Sequence, residues 1–501
     1  MKTKAEKIGY FNGIADVRDG WKRRNAYYHR SVEELVASII PPGRSVLEIG
    51  CGTGDVLAAL RPSHGVGVDF SERMVARART KYPQLKFVVG DADALPLRGP
   101  FDFVVLSDLV GELTDVWQTF RELNGVVGPH TRIVVTYYSY LWEVVLKLGE
   151  RVGLKMPQDY QNWLSVPDLE NLAFLSGLER VRRGSAVLFP VYIPGVSRFL
   201  NGVVARLPGV KRLCLTSFLV ARPMPESAAR RDLSCSVIVP CRNEVGNIEN
   251  TVRRMPALGY ETEIVFVDGA STDGTVEKIH EMMERYAGAR TIRLVHQVPR
   301  DAPAAEREQA LPSSPTKMLR LGKGDAVRKG FEAAKGDVLV ILDSDLTVVP
   351  EDLPKFYLAL ADGRGELING SRLVYQPEKQ AMRTLNLVAN KLFGVLFSYL
   401  LEQRITDTLC GTKALLRRDW ERVRETSAAL RVFDPFGDFD LLFGAAQANL
   451  KIVEVPVRYF ERTYGDIKIE RFKHGWLLLR MCWKAFLIFK LGRRWQWRDG
   501  R

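Results

Sequence analysis

The chain has 501 residues, 46% of them hydrophobic, which is ample for full cores in two or more domains. Its net charge of +13 is uneven: residues 1–220 carry +6, residues 221–470 carry −1 and residues 471–501 carry +8, a distribution that argues against a nucleic-acid binder. Six cysteines (Cys51, Cys214, Cys235, Cys241, Cys410, Cys482) show neither CxxC spacing nor histidine partners, so they read as buried thiols of a reducing cytoplasm rather than as disulfides or zinc ligands. The charged start, Met1 to Lys7, leads into no apolar segment, and no secretory leader is expected.

Short apolar runs alternate with helical patterns along the whole chain, predicting α/β architecture in two doubly wound domains. In the first half, Ser45-Val-Leu-Glu-Ile-Gly50-Cys-Gly52-Thr-Gly54-Asp55 reads as a strand, a glycine turn and a helix. The glycines allow close backbone approach, and the helix N-terminus offers free N–H groups. The spacing is GxGxG with Glu48 before it, which differs from the nicotinamide fingerprint. Gly65-Val-Gly-Val68 then ends in Asp69, placing a carboxylate at the second strand end. Phe87-Val-Val-Gly-Asp91-Ala92-Asp93 and Phe101-Asp-Phe-Val-Val-Leu-Ser107-Asp108 put acids after the third and fourth strands. An αβ core with ordinary glycine turns is the bland alternative.

Over residues 25–222 this succession resembles the class I S-adenosylmethionine-dependent methyltransferases. The resemblance implies a Rossmann-like domain (1–222) that binds S-adenosylmethionine. Glu48, Gly50, Gly52 and Gly54 would surround the methionine and ribose, Asp69 would hold the ribose, and Asp91 with Ala92 would flank the adenine. Ser107 and Asp108 would border the methyl-acceptor pocket. The Asn-Pro-Pro-aromatic motif of amino-methylating enzymes is absent. Tyr137, Tyr138, Tyr140 and Trp142 could line the pocket or simply pack in the core, and a small-molecule acceptor is expected.

Residues 223–232 are polar, Pro-bearing and without periodicity, and are read as a linker. In the next domain (233–470), Ser236-Val-Ile-Val-Pro240-Cys-Arg242-Asn-Glu244 and Glu263-Ile-Val-Phe-Val-Asp268 are strands with polar tips. An irregular stretch, Val298 to Thr316, is expected to be a loop near a ligand edge or a surface insertion. Gly322-Lys323-Gly324 follows as a basic flexible loop. The apolar run Val338-Leu-Val-Ile-Leu342 then closes on Asp343-Ser344-Asp345. Five apolar residues suit a strand buried on both faces, and its carboxyl end is where an open α/β sheet binds ligands. Two carboxylates at i and i+2 there can approach one hard cation, Mg²⁺ or Mn²⁺, and the phosphates it bridges. Capping of the next helix is the plainer use of such residues.

With Asn369-Gly-Ser-Arg372, Thr406-Asp407-Thr-Leu-Cys-Gly411-Thr-Lys413 and Glu454 to Lys468, these stretches resemble family 2 glycosyltransferases of the GT-A fold, over residues 233–490. Within that family they look most like dolichyl- or polyprenyl-phosphate mannose or glucose synthases. The resemblance implies a nucleotide-sugar donor of the GDP-mannose or UDP-glucose type, a lipid-phosphate acceptor and inversion at the sugar. Pro240, Arg242, Glu244 and Asp268 would form the nucleotide floor. Asp343 and Asp345 would engage the metal and diphosphate, with Lys323, Lys413, Arg462 and Lys468 on phosphate groups.

A phosphate acceptor needs no protein base, whereas a hydroxyl acceptor does. In Gly437-Asp438-Phe439-Asp440 either acid is a candidate for that base, unless Asp438 merely caps the following helix. The last segment (471–501) reads as a basic amphipathic helix and tail. Lys473, Arg480 and Lys484 share a stripe, and Arg493, Arg494 and Arg498 add attraction to an anionic membrane surface. The expectation is a bifunctional enzyme, peripheral on the cytosolic membrane face. The alternatives are transfer to a hydroxyl of a glycan or small molecule, or one domain kept as a non-catalytic binding module.

Overall fold

The computed structural model describes residues 4–158, 161–207, 209–225, 232–297, 322–372, 384–426, 437–462, 464 and 471–491. The chain divides after Met224 into two compact units, each with its own seven-stranded sheet and core. The expected loop Val298 to Thr316, most of the expected linker, Lys468 and the tail arginines 493, 494 and 498 lie outside the described residues.

The strands of the first unit are β1 (Ser45–Ile49), β2 (His64–Asp69), β3 (Lys86–Val89), β4 (Phe103–Ser107), β5 (Arg132–Tyr138), β6 (Leu178–Ala186) and β7 (Thr216–Pro223). They lie in the order β3-β2-β1-β4-β5-β7-β6. β1 to β5 run parallel, and β7 lies antiparallel to both β5 and β6. The apolar runs that predicted β1 and β4 are buried almost throughout, because helices cover both faces. β1 has β2 on one side and β4 on the other, so successive crossovers leave in opposite directions and open a crevice at the carboxyl ends of these strands.

The second unit has β8 (Cys235–Cys241), β9 (Thr262–Asp268), β10 (Thr291–His296), β11 (Val338–Ile341), β12 (Leu367–Ser371), β13 (Lys413–Leu416) and β14 (Ile452–Pro456). Their order is β10-β9-β8-β11-β13-β12-β14, with β13 antiparallel between two parallel sets. Here the reversal falls at β8, between β9 and β11, and brings Arg242, Asp268 and Asp343 to one edge. Both units are therefore the doubly wound α/β folds expected.

All six cysteines are buried thiols without disulfides. The last helix runs Arg471–Phe486, with Met481, Cys482 and Ala485 buried and Leu479 and Trp483 exposed. Among the described residues no helix is long and apolar enough to cross a membrane.

Candidate functional site

In the first unit, the crevice beyond β1 and β2 opens into a cleft of about 470 Å³ lined by Gly50, Asp69, Phe70, Asp91, Ala92, Leu109 and Glu112, among others. Gly50 has φ +70°, and a Cβ there would come within 2.5 Å of Leu109 Cδ1, so only glycine lets the turn pass under the cleft. Asp69 is buried, and its two oxygens accept N–H groups from Gly52 (2.8 Å) and Ser71 (2.9 Å). Burial pushes its pKa up against the pull of those donors. Glu48 lies on β1 just before the glycine turn. Its carboxylate is buried behind the turn and accepts from the Leu57 N–H at 3.0 Å, outside the residues lining the cleft. Burial raises its pKa to about 8.

The helix Lys4–Arg24, for which the sequence offered no apolar periodicity, supplies Lys4 and Lys7 to the same cleft. Lys4 pairs with Asp91 and lies 3.3 Å from Asp93, while Lys22 reaches Asp55 (2.6 Å) and Thr53 (3.1 Å) beside the glycine turn. Gly52 has φ +52° with open space where a side chain would go, and the cleft joins this turn to the Asp69 and Asp91 carboxylates, so the residues present fit S-adenosylmethionine.

A neighbouring cavity of about 260 Å³ is lined by Asp108, Gly111, Tyr137, Tyr138, Gln161 and Asn162, among others. Asp108 accepts from Tyr28 Oη at 2.7 Å and from Thr136 Oγ1 at 3.0 Å. Burial raises the pKa of Asp108, and burial together with Asp108 holds the Tyr28 hydroxyl protonated far above its ordinary range. Ser107 lies beside them, 3.4 Å from Thr136 Oγ1. Of the four aromatic candidates, Tyr137 and Tyr138 line the cavity. Tyr140 is exposed, and Trp142 packs on the core and donates to the Leu213 carbonyl. Glu112, not singled out from the sequence, lines the cofactor cleft and follows Gly111 of the second cavity. Burial raises its pKa to about 7, and Gln158 Nε2 donates to it at 2.6 Å. A carboxyl poised near neutrality is the signal that only folding reveals.

In the second unit the edge at β8, β9 and β11 gathers the predicted residues. Asp268 at the tip of β9 accepts from Ser271 N (3.1 Å) and faces His296 Nδ1 at 3.4 Å. Arg242 is half-buried near it, with burial lowering its pKa and Asp268 opposing. Pro240 ends the apolar part of β8, and Glu244 is buried with its carboxylate on Asn247 Nδ2 at 2.8 Å. Asp343 Oδ1 lies 2.6 Å from Lys323 Nζ, and Asp345 Oδ2 lies 2.6 Å from an Arg462 guanidinium nitrogen. Burial pushes Asp343 up, yet Lys323 outweighs it and holds the carboxyl below its usual range. Asp345 also accepts from Thr347 N and Oγ1 at 3.1 and 2.9 Å. A Cβ on Gly411 would lie 2.2 Å from Asp343 Oδ2 and 2.3 Å from Lys323 Nζ, so this glycine keeps the space around the pair clear. Two carboxylates at one strand tip, with that space preserved, fit a hard divalent cation.

Lys413 lies on β13, and Asp438 and Asp440 lie on the helix Asp438–Gln447. Lys413 is fully buried, its Nζ donates to the Cys410 carbonyl, and its charge helps to lower the pKa of Asp343. Asp440 is buried and faces Arg328 on the helix Lys323–Ala333 at 3.6 Å. The helix Asp438–Gln447 is capped by Gly437, so Asp438 is its first residue rather than its cap. The Asp438 side chain lies outside the described residues. Asp407 is wholly buried in a bidentate pair with Arg372 (2.8 and 2.9 Å), joined by Asn390 Nδ2 at 2.9 Å.

Comparison with known proteins finds matches in both halves of the chain. Residues 46–130 match the family model described as Methyltransferase domain, and residues 236–311 and 318–424 match Glycosyl transferase family 2. The second half is 34% identical over 246 residues to dolichol-phosphate mannosyltransferase of Pyrococcus furiosus, covering 48% of this chain and 60% of the relative. The chain is also 28% identical over 285 residues to glycosyltransferase AglD of Haloferax volcanii, covering 54% of this chain and 40% of that one. It thus spans less than two thirds of either glycosyltransferase. Demethylmenaquinone methyltransferase of Lysinibacillus sphaericus is 27% identical over 222 residues, covering 36% of this chain and 91% of the relative. The chain joins a methyltransferase domain to a domain of glycosyl transferase family 2.

Proposed function

We propose that the chain is a bifunctional transferase. Its second unit moves a hexose, with inversion, from a nucleotide sugar onto a polyprenyl-phosphate-type lipid. Its first unit methylates a small molecule or glycan precursor using S-adenosylmethionine. The observation that carries the reading is the Asp343/Asp345 pair at the end of β11, flanked by Lys323 and Arg462.

Mg²⁺ or Mn²⁺ held by Asp343 and Asp345 would supply Lewis-acid neutralisation of the departing diphosphate. Lys323 and Arg462, which balance the two acids here, are the cations within reach of that diphosphate once the acids are otherwise engaged. Arg242 and Asp268 would orient the nucleotide, with His296 against Asp268 as an added partner. Asp440 facing Arg328 favours an acceptor that brings its own negative charge over one that needs a base. The helix Arg471–Phe486 would rest on an anionic membrane surface from the cytosolic side, leaving Leu479 and Trp483 for the headgroup region.

In the first unit S-adenosylmethionine supplies an electrophilic methyl group. Asp69 and the glycine turn would bind it, Tyr138 and Asn162 would exclude water from the acceptor, and Glu112 or Asp108 would take the acceptor proton. One first-half relative takes its name from demethylmenaquinone, so that compound belongs on the acceptor panel. Calorimetry tests the donor site. GDP-mannose or UDP-glucose should bind the full chain with Mn²⁺ present, and binding should fall on metal removal and in Asp345→Ala. Equal affinity with and without metal would sink the metal-dependent reading.

A further inference from the structure

The segment between β6 and β7 of the first unit has no part in either site, yet it exposes a run of apolar side chains. Val191 to Val196 are all exposed, and Phe199 on the helix Val196–Gly202 is 59% exposed. Unpaired apolar side chains at this density normally mark a surface that meets another apolar phase.

The backbone beneath them is fixed by polar groups, so the exposure is built rather than accidental. Ser197, fully buried, donates through Oγ to the Val191 carbonyl (2.7 Å) and accepts from the Ile193 N–H (2.6 Å). Asn201 clamps Phe189 from both sides, accepting from its N–H at 2.8 Å and donating to its carbonyl at 2.7 Å. Tyr27 donates to the Ser197 carbonyl at 3.2 Å and sets its ring 5.5 Å from that of Tyr192.

Charge points to the occupant. From Val187 to Leu215 the sequence holds four basic residues, Arg198, Arg206, Lys211 and Arg212, and no acidic one. Arg198 and Arg212 are exposed beside the apolar residues. A surface of one sign repels a second copy of itself across a two-fold axis, because like charges then meet. Exposed Val, Ile, Tyr and Phe mixed with cations suit instead the interfacial zone of a bilayer carrying anionic headgroups.

We propose that this surface docks the first unit on an anionic lipid bilayer, independently of the helix Arg471–Phe486. A consequence, which does rest on the methyltransferase reading, is that the methyl acceptor is a membrane-borne amphiphile. The adjacent residues Tyr27 and Tyr28 hold the docking segment and Asp108 of the acceptor cavity respectively.

The test is sedimentation of the full chain with vesicles of phosphatidylglycerol and phosphatidylcholine, compared with pure phosphatidylcholine. Three forms are compared: wild type, Val191→Asp/Phe199→Asp, and Leu479→Asp/Trp483→Asp, each checked for an unchanged melting transition. The proposal expects binding that needs the anionic lipid, weakens with salt, and drops roughly tenfold or more in Val191→Asp/Phe199→Asp. Binding lost only in Leu479→Asp/Trp483→Asp would overturn it. So would a Val191→Asp/Phe199→Asp variant whose oligomeric state changes while vesicle binding does not, since the surface would then belong to a second copy. Vesicle binding without methyl transfer to any amphiphile would leave the docking intact and sink only the acceptor consequence.

Discussion

At the residue scale the decisive group in the second unit is Gly411. It carries no function of its own, but any side chain there collides with Asp343 and Lys323. Gly411→Ala should therefore fold and still lose on the order of 10²-fold in glycosyl transfer, because a 1 Å displacement at a reacting centre costs about that much. A steady-state rate beside a melting curve checks it; an unaffected rate would remove Asp343 from the centre. In the first unit the corresponding group is Glu112. Its pKa near 7 predicts methyl transfer that rises as pH climbs through 7, and Glu112→Gln should flatten that limb. The stability effect has the opposite sense. A carboxyl whose folded pKa is raised keeps its proton longer when folded, so its contribution weakens as pH rises from the unfolded value near 4.5 towards 7. Urea midpoints of wild type and Glu112→Gln across that range would show the difference narrowing or persisting.

At the element scale, the Arg372–Asp407 pair links the end of β12 to the helix Thr384–Leu401 through Asn390, with Arg372 also 5.0 Å over the Tyr459 ring. Arg372→Ala leaves a buried carboxylate uncompensated and should cost about 3–5 kcal/mol of stability, read as a lower denaturation midpoint. Arg372 holds the Asp407 carboxyl down to about 2 despite its burial. Its stabilisation is thus full above the ordinary carboxylate pKa and is lost as pH falls through about 2.

Legibility followed the same physics. β1, β4, β8 and β11 could be read because continuous apolar runs with acids or glycines at their ends have few other uses. The helix Lys4–Arg24 escaped notice because ion pairs such as Arg77 to Asp16 and Lys22 to Asp55 hold it, and these leave no apolar periodicity. The burial of Lys413 in β13 had no sequence signal, because a lysine is so seldom buried. His296 and Glu112 acquire meaning only from what folding sets beside them.

At the scale of the whole molecule, each unit has a separate sheet and core. Asp345→Ala should abolish glycosyl transfer and leave methyl transfer within about twofold, and Asp69→Ala should do the reverse, since the two sites belong to units with separate cores and independent sites are nearly additive. Assaying both activities on the same preparations checks this; loss of both in either variant would mean that the sites are coupled.

The central claim is that Asp343 and Asp345 serve sugar transfer to a lipid phosphate, and one assay addresses it directly. Purified full-length protein is given GDP-mannose or UDP-glucose, Mn²⁺ or Mg²⁺ and a short polyprenyl phosphate, and the lipid extract is analysed, with Asp345→Ala as the blank. The account predicts hexose in the lipid phase with one donor and at least about 10²-fold less in the variant. Donor turnover or binding with no lipid product would contradict it and move the acceptor to a hydroxyl, with Asp438 and Asp440 the next acids to replace.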